Sequence, residues 1–120
     1  MSHPSNAVSL HPYFKAHAGK LEEMKAFLPK FVAKTSTEEK NLYYDFTLNG
    51  DHLFCREAYV DAQGLLDHLT SVGPMMQEML KIADLIKVEV HGPAAELDKL
   101  TEALKPLNPI WFVYHSGVHR

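Results

Sequence analysis

The tripeptide Asn49-Gly50-Asp51 stands between two runs that alternate apolar and polar residues, NLYYDFTL over 41–48 and HLFCREAY over 52–59. Glycine takes positive φ without steric cost, so such a tripeptide closes a tight antiparallel hairpin. A hairpin in turn sets the parity of every side chain on both strands. With either Asn49-Gly50 or Gly50-Asp51 as the loop, Leu42, Tyr44, Phe46 and Leu48 share one face with Leu53, Cys55, Glu57 and Tyr59. That face is the apolar one and is expected under helices. Tyr43, Asp45 and Thr47 then lie with His52, Phe54, Arg56 and Ala58 on the opposite face, and a bulge would reverse part of this assignment.

Other elements follow from their periodicity. Residues 7–14 (AVSLHPYF) alternate Val8, Leu10 and Phe14 against Ser9, His11 and Tyr13, a half-buried strand whose pairing Pro12 disturbs. Leu21, Met24, Phe27, Leu28, Phe31 and Val32 form one stripe on a helix, with a kink expected at Pro29. Asp61 is placed to cap a helix running to Val72, and Gly73-Pro74 is expected to break it before a second helical piece containing Met75, Met76 and Met79. In the next strand, LIKVEVHG, the parity sets Ile86, Val88 and Val90 against Lys87, Glu89 and His91. Pro93 suits the first turn of a further helix with Leu97, Leu100 and Leu104 inward, and residues 110–114 read as a last short strand. The order is βαββαβ followed by an extra helix and strand: an α+β, ferredoxin-like chain.

Composition narrows the function. A chain of 120 residues with 46% hydrophobic and 22% charged residues is expected to form a single domain over 1–120, with its core at about 7–91 and a helix-strand extension over 92–120. Twelve Lys and Arg against 15 Asp and Glu give a net charge of −3 with no basic stripe, which argues against nucleic acid as a partner. The apolar runs fall short of the ~20 residues a membrane span requires. Residues 1–7 lack the regions of a signal peptide, and the lone Cys55 suits a reducing compartment, so a cytoplasmic location is expected. No phosphate-cradling or common hydrolase motif occurs, and neither cofactor nor metal is expected. His115 and His119 have ligand spacing but sit in a terminal segment; His3 and His17 read as solvated.

Among groups able to do chemistry, strand parity sends Glu57 under the helices, where burial would raise its pKa. His68 borders the apolar stripe of the second long helix and points towards the same space, an imidazole near a carboxylate being a competent base. Tyr44 and Tyr59 add hydroxyls, and Met75 and Met79, with Met76, offer an adaptable apolar lining. Each also has a structural reading: Glu57 reaching water at the strand end or paired with a cation as a scaffold element, His68 a satisfied core histidine, the methionines and tyrosines as packing. Cys55 reads as an inert core thiol. Tyr13, Tyr43 and Phe54 on the face away from the helices call for a covering partner sheet, and therefore a homodimer formed through the sheet faces.

Arg56-Glu57-Ala58-Tyr59-Val60-Asp61, followed by Leu65, Leu66, His68 and Leu69, resembles the antibiotic biosynthesis monooxygenase family of the dimeric α+β barrel superfamily. The likeness places a glutamate and an aromatic on a strand, an acid at a helix start and His-Leu farther along that helix. It implies two sheets face to face in a homodimer, with a small cavity in each subunit between sheet and helices. It also implies oxidation of a quinol or related small aromatic by O2 without metal or flavin, with His68 or Glu57 as base and the tyrosines orienting the substrate. The chemistry needs little more, because a deprotonated, electron-rich phenol itself reduces oxygen. The competing readings are a non-catalytic dimeric ligand-binding protein of the same fold and an isomerase of a small lactone. Trp111, the only tryptophan, lies in the last strand rather than beside His68, which weakens a haem-degrading reading.

Overall fold

The computed structural model describes residues 6–119; His3 lies outside them. Five strands and two long helices dominate the chain. They are β1 (Val8–Ala16), α1 (Leu21–Thr35), β2 (Asn41–Asn49), β3 (His52–Tyr59), α2 (Ala62–Met79) and β4 (Ala83–Gly92). Two short helices, α3 (Ala94–Asp98) and α4 (Thr101–Leu104), a 3-10 turn over Lys105–Leu107 and β5 (Ile110–Val113) complete it. The sheet order is β2-β3-β1-β4-β5, antiparallel except for the β4–β5 pair. The first four strands thus have the ferredoxin-like arrangement.

The hairpin closes through Gly50-Asp51, Gly50 taking φ +59°, and Tyr44 pairs with Glu57, Asp45 with Arg56 and Phe46 with Cys55. Leu53, Cys55, Glu57 and Tyr59 are buried on the helix-facing side, as the parity requires. Two members of the expected apolar face are not covered: Leu42 is 51% and Leu48 46% exposed. The register slips between Asn41 and Tyr43, which takes Leu42 out of the alternation, and Leu48 lies beside the hairpin loop on an edge strand. A second slip, opposite Tyr13 and Phe14, turns Ile86 outward at 51% exposure, and Leu85 packs against the core instead.

Pro12 is accommodated in the middle of the sheet. It pairs with Val88 of β4, while the β1–β3 ladder is interrupted between Leu10↔Glu57 and Tyr13↔Phe54, where the missing N–H has no bond to make.

The helix expected to break at Gly73-Pro74 is instead continuous through Met79. Pro74 and Thr70, whose carbonyl loses its usual donor, are both exposed residues, so the proline sits on the helix face away from the core. Pro29 is likewise exposed inside the uninterrupted α1. Conversely, the single helix expected after Pro93 is divided into α3, α4 and the 3-10 turn, although Leu97, Leu100 and Leu104 are buried as that stripe demands. Tyr114 falls outside β5, its N–H donating to the Gly92 carbonyl.

Both long helices cover one sheet face and divide the core in two. One cluster gathers Val8, Leu10, Tyr59, Leu65, Val90 and Leu100; the other gathers Phe14, Met24, Phe31, Leu53, Val72 and Met79. On the opposite face a row of rings crosses four strands. Tyr13 and Phe54 lie 4.6 Å apart, His11 and His91 4.5 Å, and His91 stacks on Phe112 at 4.5 Å. No helix among the described residues is long and apolar enough to cross a membrane.

Candidate active site

Local sequence dictates how α2 meets the sheet. Asp61 is extended and its carboxylate accepts from the Gly64 N–H at 2.9 Å, while the Glu96 carboxylate accepts from the Ala62 N–H at 2.9 Å. Both satisfy N–H groups that a helix start leaves without partners. Gly64 lies so close to the chain entering β2 that a Cβ there would sit 2.8 Å from Lys40 Cβ and 3.1 Å from Tyr59 Cβ. This contact seats the first turn of α2 on the sheet, and one turn later His68 projects down at Glu57.

Glu57 and His68 are 3% and 2% exposed, and Glu57 Oε1 lies 3.4 Å from His68 Nε2. The Tyr59 hydroxyl donates to the same Oε1 at 2.7 Å. The buried Cys55 lies two residues before Glu57 on the same face, near enough to favour the ionised carboxylate. On the far side of the imidazole, Nδ1 lies 3.0 and 3.1 Å from the two carboxylate oxygens of Glu38. The rings of Tyr44 and Tyr59 flank His68 at 5.1 and 5.2 Å. A single buried imidazole is thus held between two carboxyl groups and two phenols.

Burial dominates the electrostatics. It pushes the Glu57 carboxyl up to about 7 against the bond from Tyr59 and the nearby Cys55 thiol, and pushes His68 down to about 4. Burial likewise drives the Tyr44, Tyr59 and Cys55 pKa values upward, with the nearby Glu57 adding to each. Among the described residues no Lys or Arg lies within ion-pair distance of Glu57. Near neutral pH the imidazole is therefore uncharged and the Glu57 carboxyl is divided between acid and carboxylate. Such a pair can accept a proton or give one at the same pH.

The pair opens onto a cavity of about 250 Å³ between sheet and helices, lined by Leu10, Phe14, Phe31, Phe46, Val72 and Leu85 among others. Its walls come from both core clusters, and its polar lining includes Glu57, His68 and Tyr44. Tyr59 stands behind Glu57, bonded to it but not on the wall. Met79 is buried in the second cluster and Met75 packs against it; the methionine on the wall is Met76. Glu38, in the loop between α1 and β2, had no pattern to mark it: the run 36–40 (STEEK) reads as a polar connection, and only the tertiary fold carries it to His68. Among the described residues no group of three His, Cys, Asp or Glu side chains is arranged to hold a metal ion, since Glu38 and Glu57 occupy opposite sides of one ring.

No family model and no curated protein sequence matches the chain. Solved structures do. It is similar to MupZ from Pseudomonas fluorescens, at 40% identity over 96% of this chain and 95% of that one, with a TM-score of 0.92. Two more distant structures share the fold. A Nitrosomonas europaea protein that carries the antibiotic biosynthesis monooxygenase name is 13% identical over 78% of this chain and 96% of its own, TM-score 0.65. Rv0793 from Mycobacterium tuberculosis is 20% identical over 72% of this chain and 94% of its own, TM-score 0.67.

Proposed function

Because the chain belongs to the antibiotic biosynthesis monooxygenase-like family, we propose that it is a cofactor-independent monooxygenase acting on a quinol or related small phenol, with Glu57 and His68 as the proton-transfer pair. The observation that carries this reading is the buried Glu57–His68 contact on the wall of an otherwise apolar cavity. A planar aromatic suits walls of Phe, Leu and Val, and Tyr44 is the hydroxyl placed to orient its oxygen.

For an anthrone-type substrate the Glu57–His68 pair takes a proton from the acidic CH2. The resulting carbanion, an enolate, reduces O2 and forms a C–O bond, and the returned proton completes a hydroperoxide. Removal of the remaining C–H proton with departure of hydroxide leaves C=O, and hydroxide takes the proton to give water. One O2 is consumed, one oxygen atom enters the product and one leaves as water. The protein works as a homodimer closed through the open sheet face, whose row of His11, His91, Phe54 and Phe112 a second copy would cover.

A second reading is proton transfer without oxygen, as in isomerisation of a small lactone. The specific observation favouring it is that one site offers both a neutral base and a carboxylic acid near pH 7. Oxygen uptake by protein freed of metals, on a panel of hydroquinones and anthrones, separates the two. The monooxygenase reading expects one O2 per product, with turnover at least ~10²-fold lower in Glu57→Gln. Turnover without oxygen uptake supports the isomerase reading, and binding of the same compounds without turnover supports a non-catalytic ligand-binding protein.

A further inference from the structure

We propose that Glu38 is a positioning residue of this site: by accepting the Nδ1 hydrogen of His68 it fixes one tautomer of the ring and aims the Nε2 lone pair at Glu57. The inference rests on the acid–base reading of the Glu57–His68 pair and deepens it.

The geometry is specific. Both Glu38 oxygens lie at hydrogen-bond distance from Nδ1, at 3.0 and 3.1 Å, while Glu57 Oε1 lies 3.4 Å from Nε2. A neutral imidazole carries one hydrogen, and the nitrogen that holds it is set by the bond the other makes. Of the two carboxyl groups, Glu38 is closer to water, its side chain 12% exposed against 3% for Glu57. Ionisation therefore costs less at Glu38, and the carboxylate sits on the Nδ1 side. With Nδ1 protonated, Nε2 is an acceptor, and the Glu57 carboxyl facing it is a donor when protonated. The opposite tautomer would place a lone pair against an anion at Nδ1.

Glu38 is itself held for the task. Its N–H donates to the Thr35 carbonyl at 3.0 Å where α1 ends, and Ser71, one turn beyond His68, lies near enough to favour its charged form. The charged groups acting on it are Asp67 of α2, which opposes its charge, and Lys34 of α1, which favours it. His68 is faced from β3 by Glu57, from β2 and β3 by the phenols of Tyr44 and Tyr59, and from the loop by Glu38. Cys55 joins the set through Glu57. Carboxylate, imidazole and carboxyl form a line from the protein's rim to its cavity, each able to pass on the orientation of the last.

The test is long-range ¹H–¹⁵N correlation of the His68 ring in the full-length, substrate-free protein at pH 7. The expected wild-type result is hydrogen on Nδ1 and none on Nε2. Glu38→Ala is expected to move most of the population to the Nε2–H form, Glu38→Asp to retain Nδ1–H in part, and Glu39→Ala, at an exposed neighbour, to change nothing. Nε2–H in the wild type, or an unchanged tautomer in Glu38→Ala, overturns the proposal; the wild-type spectrum decides even if a variant does not fold. In turnover, kcat should fall ~10²-fold in Glu38→Ala with KM little changed and recover in part in Glu38→Asp. Because the spectrum needs no substrate, a wild type with Nδ1–H and no turnover on any phenol would defeat the functional reading while leaving the role of Glu38 intact.

Discussion

Glu57 and His68 are displaced in opposite directions by the same burial, and this has a consequence for stability. A carboxyl raised from 4.5 to about 7 on folding contributes stability that is complete below about 4.5 and is lost as pH rises through 7. An imidazole lowered from 6.5 to about 4 contributes stability that is present above 6.5 and is lost as pH falls through 4. The two slopes oppose each other between about 4.5 and 6.5, so the wild type is expected to vary little there. Glu57→Gln leaves the His68 contribution alone. Its unfolding free energy, from urea titrations at stepped pH, should fall markedly from pH 6.5 to 4; a slope matching the wild type would contradict the assignment. Glu57 and His68 were legible in the sequence because each lies on a periodic element whose buried face can be counted. Glu38 was not, because its partner is 30 residues away and no local rule brings a loop to a helix.

At the scale of elements, the hairpin parity and the helical stripes fixed which faces meet, and the departures have local causes. Two register slips moved Leu42 and Ile86 outward, and neither slip has a turn residue to announce it. The continuous α2 shows why proline is an ambiguous stop signal: its cost depends on whether the carbonyl it frees can reach water, and Pro74 and Thr70 both lie at exposed positions of the helix. The close approach at Gly64 was equally hidden, since the glycine is recognisable but its neighbour Lys40 is not. Gly64→Ala, pressing a Cβ to 2.8 Å from Lys40 Cβ, is expected to destabilise the fold by about 1–3 kcal/mol in chemical denaturation. It should also lower activity by tilting α2 and drawing His68 off Glu57. Unchanged stability would show that the loop yields without resisting.

For the whole molecule, one sheet face is spent on the core and cavity, and the other presents rings and charges to the outside. Sedimentation analysis at micromolar concentration is expected to show a homodimer, and Phe112→Asp, at the end of the ring row, to shift it towards monomer with the fold retained. A wild-type monomer would contradict this use of the face. The cavity lies on the other side of the sheet, between two core clusters, so the acid–base pair is built within one subunit. Everything proposed for that cavity turns on whether Glu57 exchanges a proton near neutral pH. The direct measurement is the ¹³C titration of its side-chain carboxyl in the folded protein: the account predicts a midpoint near 7, and a midpoint near the ordinary 4.5 would contradict it.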